Sequence, residues 1–140
     1  MSFFSERLFS IYSYSMSHGL LLLRSGKTNE FKTRIEILFQ DVRAMELRVW
    51  LAGIAFEEVD REFLEKFPSK PAQLMEIENK AYAVRSGFGR SEGCLWDPGE
   101  WTGFVLGGNF STSEDDGNLF EPSALMPDCD AYPSGRSKAP

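Results

Sequence analysis

The chain has 140 residues, 42% of them hydrophobic and 14% aromatic, with a formal net charge of −6. That length and apolar content suit one domain with a real core and exclude disorder over most of the chain. An acidic balance without a basic cluster excludes nucleic-acid binding, which needs Lys and Arg against the phosphates, and repels anionic membranes.

Leu8–Met16 mixes serines with aromatics, and a strand there puts Tyr12, Tyr14 and Met16 on one face. Ser17-His18-Gly19 reads as a turn, and Leu20–Ser25 as the second arm of a hairpin, apolar on both faces. Gly26–Lys32 is a polar loop. From Thr33 to Val59 the chain holds a period of two. Ile35, Ile37 and Phe39 alternate with Arg34, Glu36 and Gln40; Met45, Leu47, Val49 and Leu51 alternate with Glu46, Arg48 and Trp50. This pattern predicts strands over Thr33–Phe39 and Ala44–Leu51, joined across Gln40–Arg43, with one face buried and the polar one in water. Gly53 punctuates, and Ile54–Val59 is a short fifth strand.

The period changes at Asp60, an N-cap candidate ahead of the stripe Phe63, Leu64 and Phe67, and Pro68 ends that helix. Pro71 opens a second short helix to Glu78, with Leu74, Met75 and Ile77 inward. Ala81–Arg85 and Trp101–Thr112 are the sixth and seventh strands, and Gly107-Gly108 marks a bulge or a close backbone approach. Ser86–Glu100, with four glycines and a proline, exceeds the usual hairpin loop and reads as mobile and dispensable for folding. Ser113–Asn118 is a turn. Leu119–Met126 is a terminal segment that docks through Phe120, Leu125 and Met126, and residues 127–140 form a tail expected to be disordered.

The expected fold is therefore α+β: one mainly antiparallel sheet of six or seven strands, with one or two short helices on one face, in a single domain over residues 1–126. Ile35, Ile37, Phe39, Met45, Leu47, Val49, Phe63, Leu64 and Phe67 are expected to share its core.

No catalytic set emerges. His18 is the single histidine, which leaves no His-based metal cluster, and it sits in a turn. Cys94 and Cys129 have acidic neighbours, which work against a thiolate. Two cysteines make no disulfide framework, and the N-terminus has neither a basic n-region nor an apolar stretch, so a cytoplasmic protein without signal peptide is expected. The run Glu114-Asp115-Asp116-Gly117 has consecutive rather than alternate acids, unlike a calcium loop. The glycine pairs lack the Lys-Ser/Thr of a phosphate loop. No metal, no cofactor and no catalytic residue is assigned.

Binding signals are stronger. Residues 1–50 carry seven basic and five acidic groups; residues 87–130 carry nine acids against Arg90 alone. The acidic half, with Glu114, Asp115 and Asp116, suits a protein partner with a basic surface. Trp50 falls on a polar strand face, and Phe88 and Trp96 sit in the long loop, as residue types that binding hot spots favour. Thr33–Val59 resembles the central hairpin of small bacterial immunity proteins of polymorphic toxin systems, which pair two strands across a Phe-x-x-Val turn, here Phe39-Gln40-Asp41-Val42. The resemblance covers about a fifth of the chain and implies a small, acidic, non-enzymatic protein that occludes a toxin. It transfers no site residues.

The leading expectation is a non-catalytic protein-binding module, immunity- or antitoxin-like in its sharpest form. The alternatives are a small enzyme or ligand-binding domain with Ser86–Glu100 as a lid over a pocket of Tyr12, Tyr14 and Trp101, and a structural component of a larger assembly.

Overall fold

The computed structural model describes residues 2–88 and 100–125. Eight strands lie in one sheet: β1 (Ser2–Ser15), β2 (Leu20–Ser25), β3 (Arg34–Phe39), β4 (Ala44–Glu46), β5 (Trp50–Val59), β6 (Lys80–Ser86), β7 (Trp101–Gly107) and β8 (Phe110–Asp115). Their order is β4-β7-β6-β5-β1-β2-β3-β8, and every neighbouring pair is antiparallel. Helix among the described residues is limited to α1 (Arg61–Leu64) and a 3-10 turn at Pro71–Leu74.

The two ends of this sheet meet. β3 and β4 are consecutive stretches of one chain path, as are β7 and β8. Phe39 pairs with Phe110, and Ala44 with Leu106. Between them the Gln40 N–H donates to the Asn109 carbonyl (2.9 Å), the Gly108 N–H to that of Gln40 (2.8 Å), and the Arg43 N–H to that of Leu106 (2.8 Å). The β3–β8 ladder thus runs on into β4–β7, and the sheet closes into a barrel. Closure removes the unpaired edges that an open sheet exposes. The joint needs close backbone contact: a Cβ at Gly107 would lie 3.0 Å from the carbonyl oxygens of both Gln40 and Asp41. This is the close approach that Gly107-Gly108 predicts.

Alternation then sorts the side chains. Phe9, Leu21, Leu23, Ile37, Phe39, Val42, Leu51, Ile54, Phe56, Tyr82, Val84 and Val105 form one buried cluster, with Phe3, Met45, Leu47, Trp101 and Phe110 packed against it. Every strand contributes, which places this cluster in the barrel interior. Phe56 of β5 touches the rings of Phe3, Phe39, Tyr82 and Phe110, so aromatic contacts span the interior.

Two stretches of the outer wall are covered by the chain itself. Leu64 and Ala72 pack on Ala81, Phe104 and Leu106, with Val59, Phe63, Phe67 and Met75 around them. Asp60 caps α1 as expected, its carboxylate accepting from the Phe63 N–H at 3.3 Å. On the other side Leu125 joins Leu22, Leu38, Tyr12 and Leu20, so the segment after β8 lies as a strap across β2 and β3.

Several expectations need correction. Thr33–Val59 holds no hairpin: β3 pairs with β2 and β8, and β4 with β7. Asp41, at φ 54°, turns the path between β3 and β4 without reversing it. The predicted strand Ala44–Leu51 is broken at Leu47–Val49, which carries the chain from β4 across to β5; Leu47 packs inward there, while Val49 is 60% exposed. β5 continues through Gly53 (φ 79°), where its register with β1 shifts. β1 begins at Ser2, not Leu8; polar Ser5, Glu6 and Arg7 at that shift hide the alternation. Phe63, Leu64 and Phe67 belong to the outer cluster, not to the core of β3. Leu74 and Ile77 point to solvent because the second helix stops after one 3-10 turn. Ser113, Glu114 and Asp115 lie on β8 rather than in a turn, and Phe120 is exposed rather than docked.

Candidate functional site

The polar face of β3 is not solvated. Arg34 (3% exposed), Glu36 (0%) and, on β2, Arg24 (1%) are buried beneath the strap. Arg24 and Glu36 sit opposite each other in the ladder, and the Arg24 guanidinium donates to one Glu36 oxygen from Nε (3.1 Å) and Nη2 (2.7 Å). It also donates to the Leu119 carbonyl and stacks 3.7 Å over Tyr12. The second Glu36 oxygen accepts from the Ala124 N–H at 3.0 Å. Arg34 forks onto both Asp115 oxygens (2.9 and 2.8 Å) and donates to the carbonyls of Asn118, Glu121 and Pro122. Each buried charge is thereby paired and hydrogen-bonded, as its burial requires.

This network engages two of the three acids of the expected acidic face. Asp115 is spent on Arg34. Glu114 reaches Arg7 (3.4 Å) and accepts from the Thr33 hydroxyl. Of the three acids, Asp116 is the one exposed side chain without such a bond. The Arg34 hydrogen bonds hold the Asp115 carboxyl below the usual carboxylate range; burial opposes them, and the Gly117 N–H and the charges of Arg34 and Arg24 add to them. A carboxyl more acidic in the folded than in the unfolded chain stabilises the fold above its unfolded pKa, about 3.9. That contribution is lost as pH falls through the folded value. Urea midpoints of the wild type should therefore drop steeply below about pH 4, and those of Asp115→Asn less steeply.

A third stretch of outer wall has no such cover among the described residues. Two adjacent rungs of the ladder define it. One runs Phe4–Ala55–Arg85–Thr102 across β1, β5, β6 and β7; the next runs Ser2–Glu57–Ala83–Phe104. Alanines at the centre of both rungs leave a depression. Phe4 (63% exposed) stands on one side, with the Phe88 ring stacked on it at 5.5 Å, and Phe63 of the α1 segment stands on the other. The resulting cavity of about 500 Å³ is lined by Phe4, Ala55, Phe63 and Ala83 with Ser2, Glu57, Val59, Arg85 and Thr102. This volume lies within the usual range of ligand sites.

Two charged residues of opposite sign flank it. Arg7, Arg24, Arg34 and Arg43 each hold a carboxylate. Glu57 and Arg85 are both exposed and form no ion pair among the described residues, and the Arg85 guanidinium lies 5.9 Å over the Phe88 ring. They are diagonal neighbours, since Glu57 faces Ala83 and Arg85 faces Ala55. The groove therefore offers a carboxylate beside Ser2, a guanidinium beside Thr102, and an apolar floor between them.

Of the binding residues singled out from sequence, Phe88 alone touches the groove, through its stack on Phe4. Trp50 stands opposite Ser10, farther along the β1–β5 pair. Glu114, Asp115 and Asp116 belong to the β3–β8 side. Trp96, the two cysteines, Met126, the 127–140 tail and most of the Ser86–Glu100 loop lie outside the described residues. Tyr12 sits under the strap and Trp101 packs inward, so they line no common pocket. The described residues hold no group of three or more His, Cys, Asp or Glu fit for a metal, and no helix long and apolar enough to cross a membrane. Comparison with protein families, curated proteins and solved structures finds no match to this chain.

Proposed function

We propose that this protein is a non-catalytic binding module, which docks a segment of a partner protein in the groove over Ala55 and Ala83. The observation that carries this reading is the distribution of satisfied and unsatisfied surface. The barrel interior is filled with apolar side chains, two outer patches are covered by the α1 segment and the strap, and the buried charges are paired within the fold. The groove joins exposed aromatic surface, a small-residue floor and two exposed charges of opposite sign without ion pairs among the described residues. Apolar anchors ringed by polar groups are the usual anatomy of a protein interface.

An immunity-like role is the sharpest form of this proposal. Its support is the acidic net charge of −6, which steers association with a basic partner; the hairpin of the resemblance is absent and lends none.

Ala83→Trp fills the floor from an outward-facing position and tests the assignment. Partners retained from a lysate of the native host by the wild type should be lost with Ala83→Trp and with Arg85→Glu, and kept with Asp116→Lys on the opposite side. Both groove variants should retain the wild-type circular dichroism. Capture unaffected by either groove variant rejects the site.

A further inference from the structure

Resting on the groove reading, we infer that the element recognised is a chain terminus: an apolar C-terminal residue with its free carboxylate, preceded by a basic residue. The charge layout selects this chemistry. Arg85 and Thr102 face each other across β6 and β7, so a guanidinium fork and a hydroxyl stand side by side, a donor set matched to a carboxylate. Ala55 and Ala83 between Phe4 and Phe63 form an apolar slot for one side chain. Glu57 and Ser2 face each other across β5 and β1 and form an acceptor corner suited to an ammonium or guanidinium group.

The spacing also fits. Glu57 and Arg85 are diagonal ladder neighbours, and such positions lie about 7–8 Å apart. That is about two residues of extended chain at 3.3 Å each. A carboxylate on Arg85 therefore leaves the backbone of the preceding residue at the Glu57 end of the groove, within reach of a long basic side chain. A second carboxylate at that place would face Glu57 and be repelled, so an acidic penultimate residue is disfavoured. The acidic surface of the whole chain favours the same basic tail.

Four fluorophore-labelled probe peptides of the form Gly-Ser-Gly-X-Leu test this by fluorescence anisotropy at low salt: X as Lys or Glu, each with a free or an amidated C-terminus. The wild type should bind the free-acid Lys peptide best. Amidation, or Glu in place of Lys, should each weaken binding about threefold to fivefold, the effect of a solvent-exposed charge pair. Arg85→Gln should abolish the penalty for amidation and keep the preference for Lys; Glu57→Gln should do the reverse. The inference is overturned if no peptide binds, if amidation is silent in the wild type, or if its penalty survives in Arg85→Gln. Should the peptides fail while Ala83→Trp still releases the partner captured from lysate, the groove reading stands and the terminus chemistry falls.

Discussion

Glu36→Ala is expected to lower the free energy of unfolding by about 3–5 kcal/mol, the range for removing one partner of a buried ion pair. The side chains of Glu36 and Arg24 have no solvent exposure, and that of Arg34 has 3%. Without the carboxylate, Arg24 loses the Glu36 oxygen it grips with Nε and Nη2, and the Ala124 N–H loses its acceptor. Both ends of the strap loosen together. The double variant Arg24→Leu/Glu36→Leu should cost clearly less than Glu36→Ala alone, because it replaces both members of the buried pair with apolar side chains. Urea unfolding followed by tryptophan fluorescence measures both. A Glu36→Ala variant within about 0.5 kcal/mol of wild type, the range of surface substitutions, would mean that the strap does not bury this pair.

Phe56→Ala is the second large effect, expected at about 3–5 kcal/mol. Phe56 is 2% exposed, and its ring meets rings from β1, β3, β6 and β8. Truncation opens a cavity where paths from opposite sides of the barrel meet, and a closed cylinder has little freedom to collapse into it. The adjacent Glu57 points outward, so Glu57→Ala should stay within about 0.5 kcal/mol. Equal costs at the two positions would contradict the inward and outward assignment of β5.

Much of this architecture is legible in the sequence. Ile35, Ile37 and Phe39 announce the inner face of β3, Leu20–Ser25 its neighbour, and Asp60 the start of α1. The antiparallel sheet with a small helical cover follows from them. Local patterning stops where the deciding contact is distant. Arg34 and Glu36 alternate with apolar residues as a solvated face would, and nothing local shows that residues 118–124 return to bury them. The alternation from Met45 to Leu51 persists through Leu47–Val49, although the chain changes neighbours there. Glu114 and Asp115 read as free acids because Arg7 and Arg34 lie some eighty or more positions away. The groove itself leaves almost no signal. Its floor is two alanines from different strands, and its charges are exposed like those of Arg48 and Arg61 elsewhere on the barrel. An Arg or Glu with outward alternation on an inner strand, next to a small residue, is the one trace that could have pointed to it.

Amide chemical-shift mapping tests the location of the binding site most directly. The 15N-labelled protein is titrated with the partner recovered by wild-type capture. The groove account predicts that the largest shifts fall on Phe4, Ala55, Glu57, Ala83, Arg85 and Thr102, while the amides of Ser113–Asp116 on the far wall stay in place. Shifts centred on β3 and β8, with Ala55 and Ala83 unmoved, would contradict it and return the interface to the acidic side of the barrel.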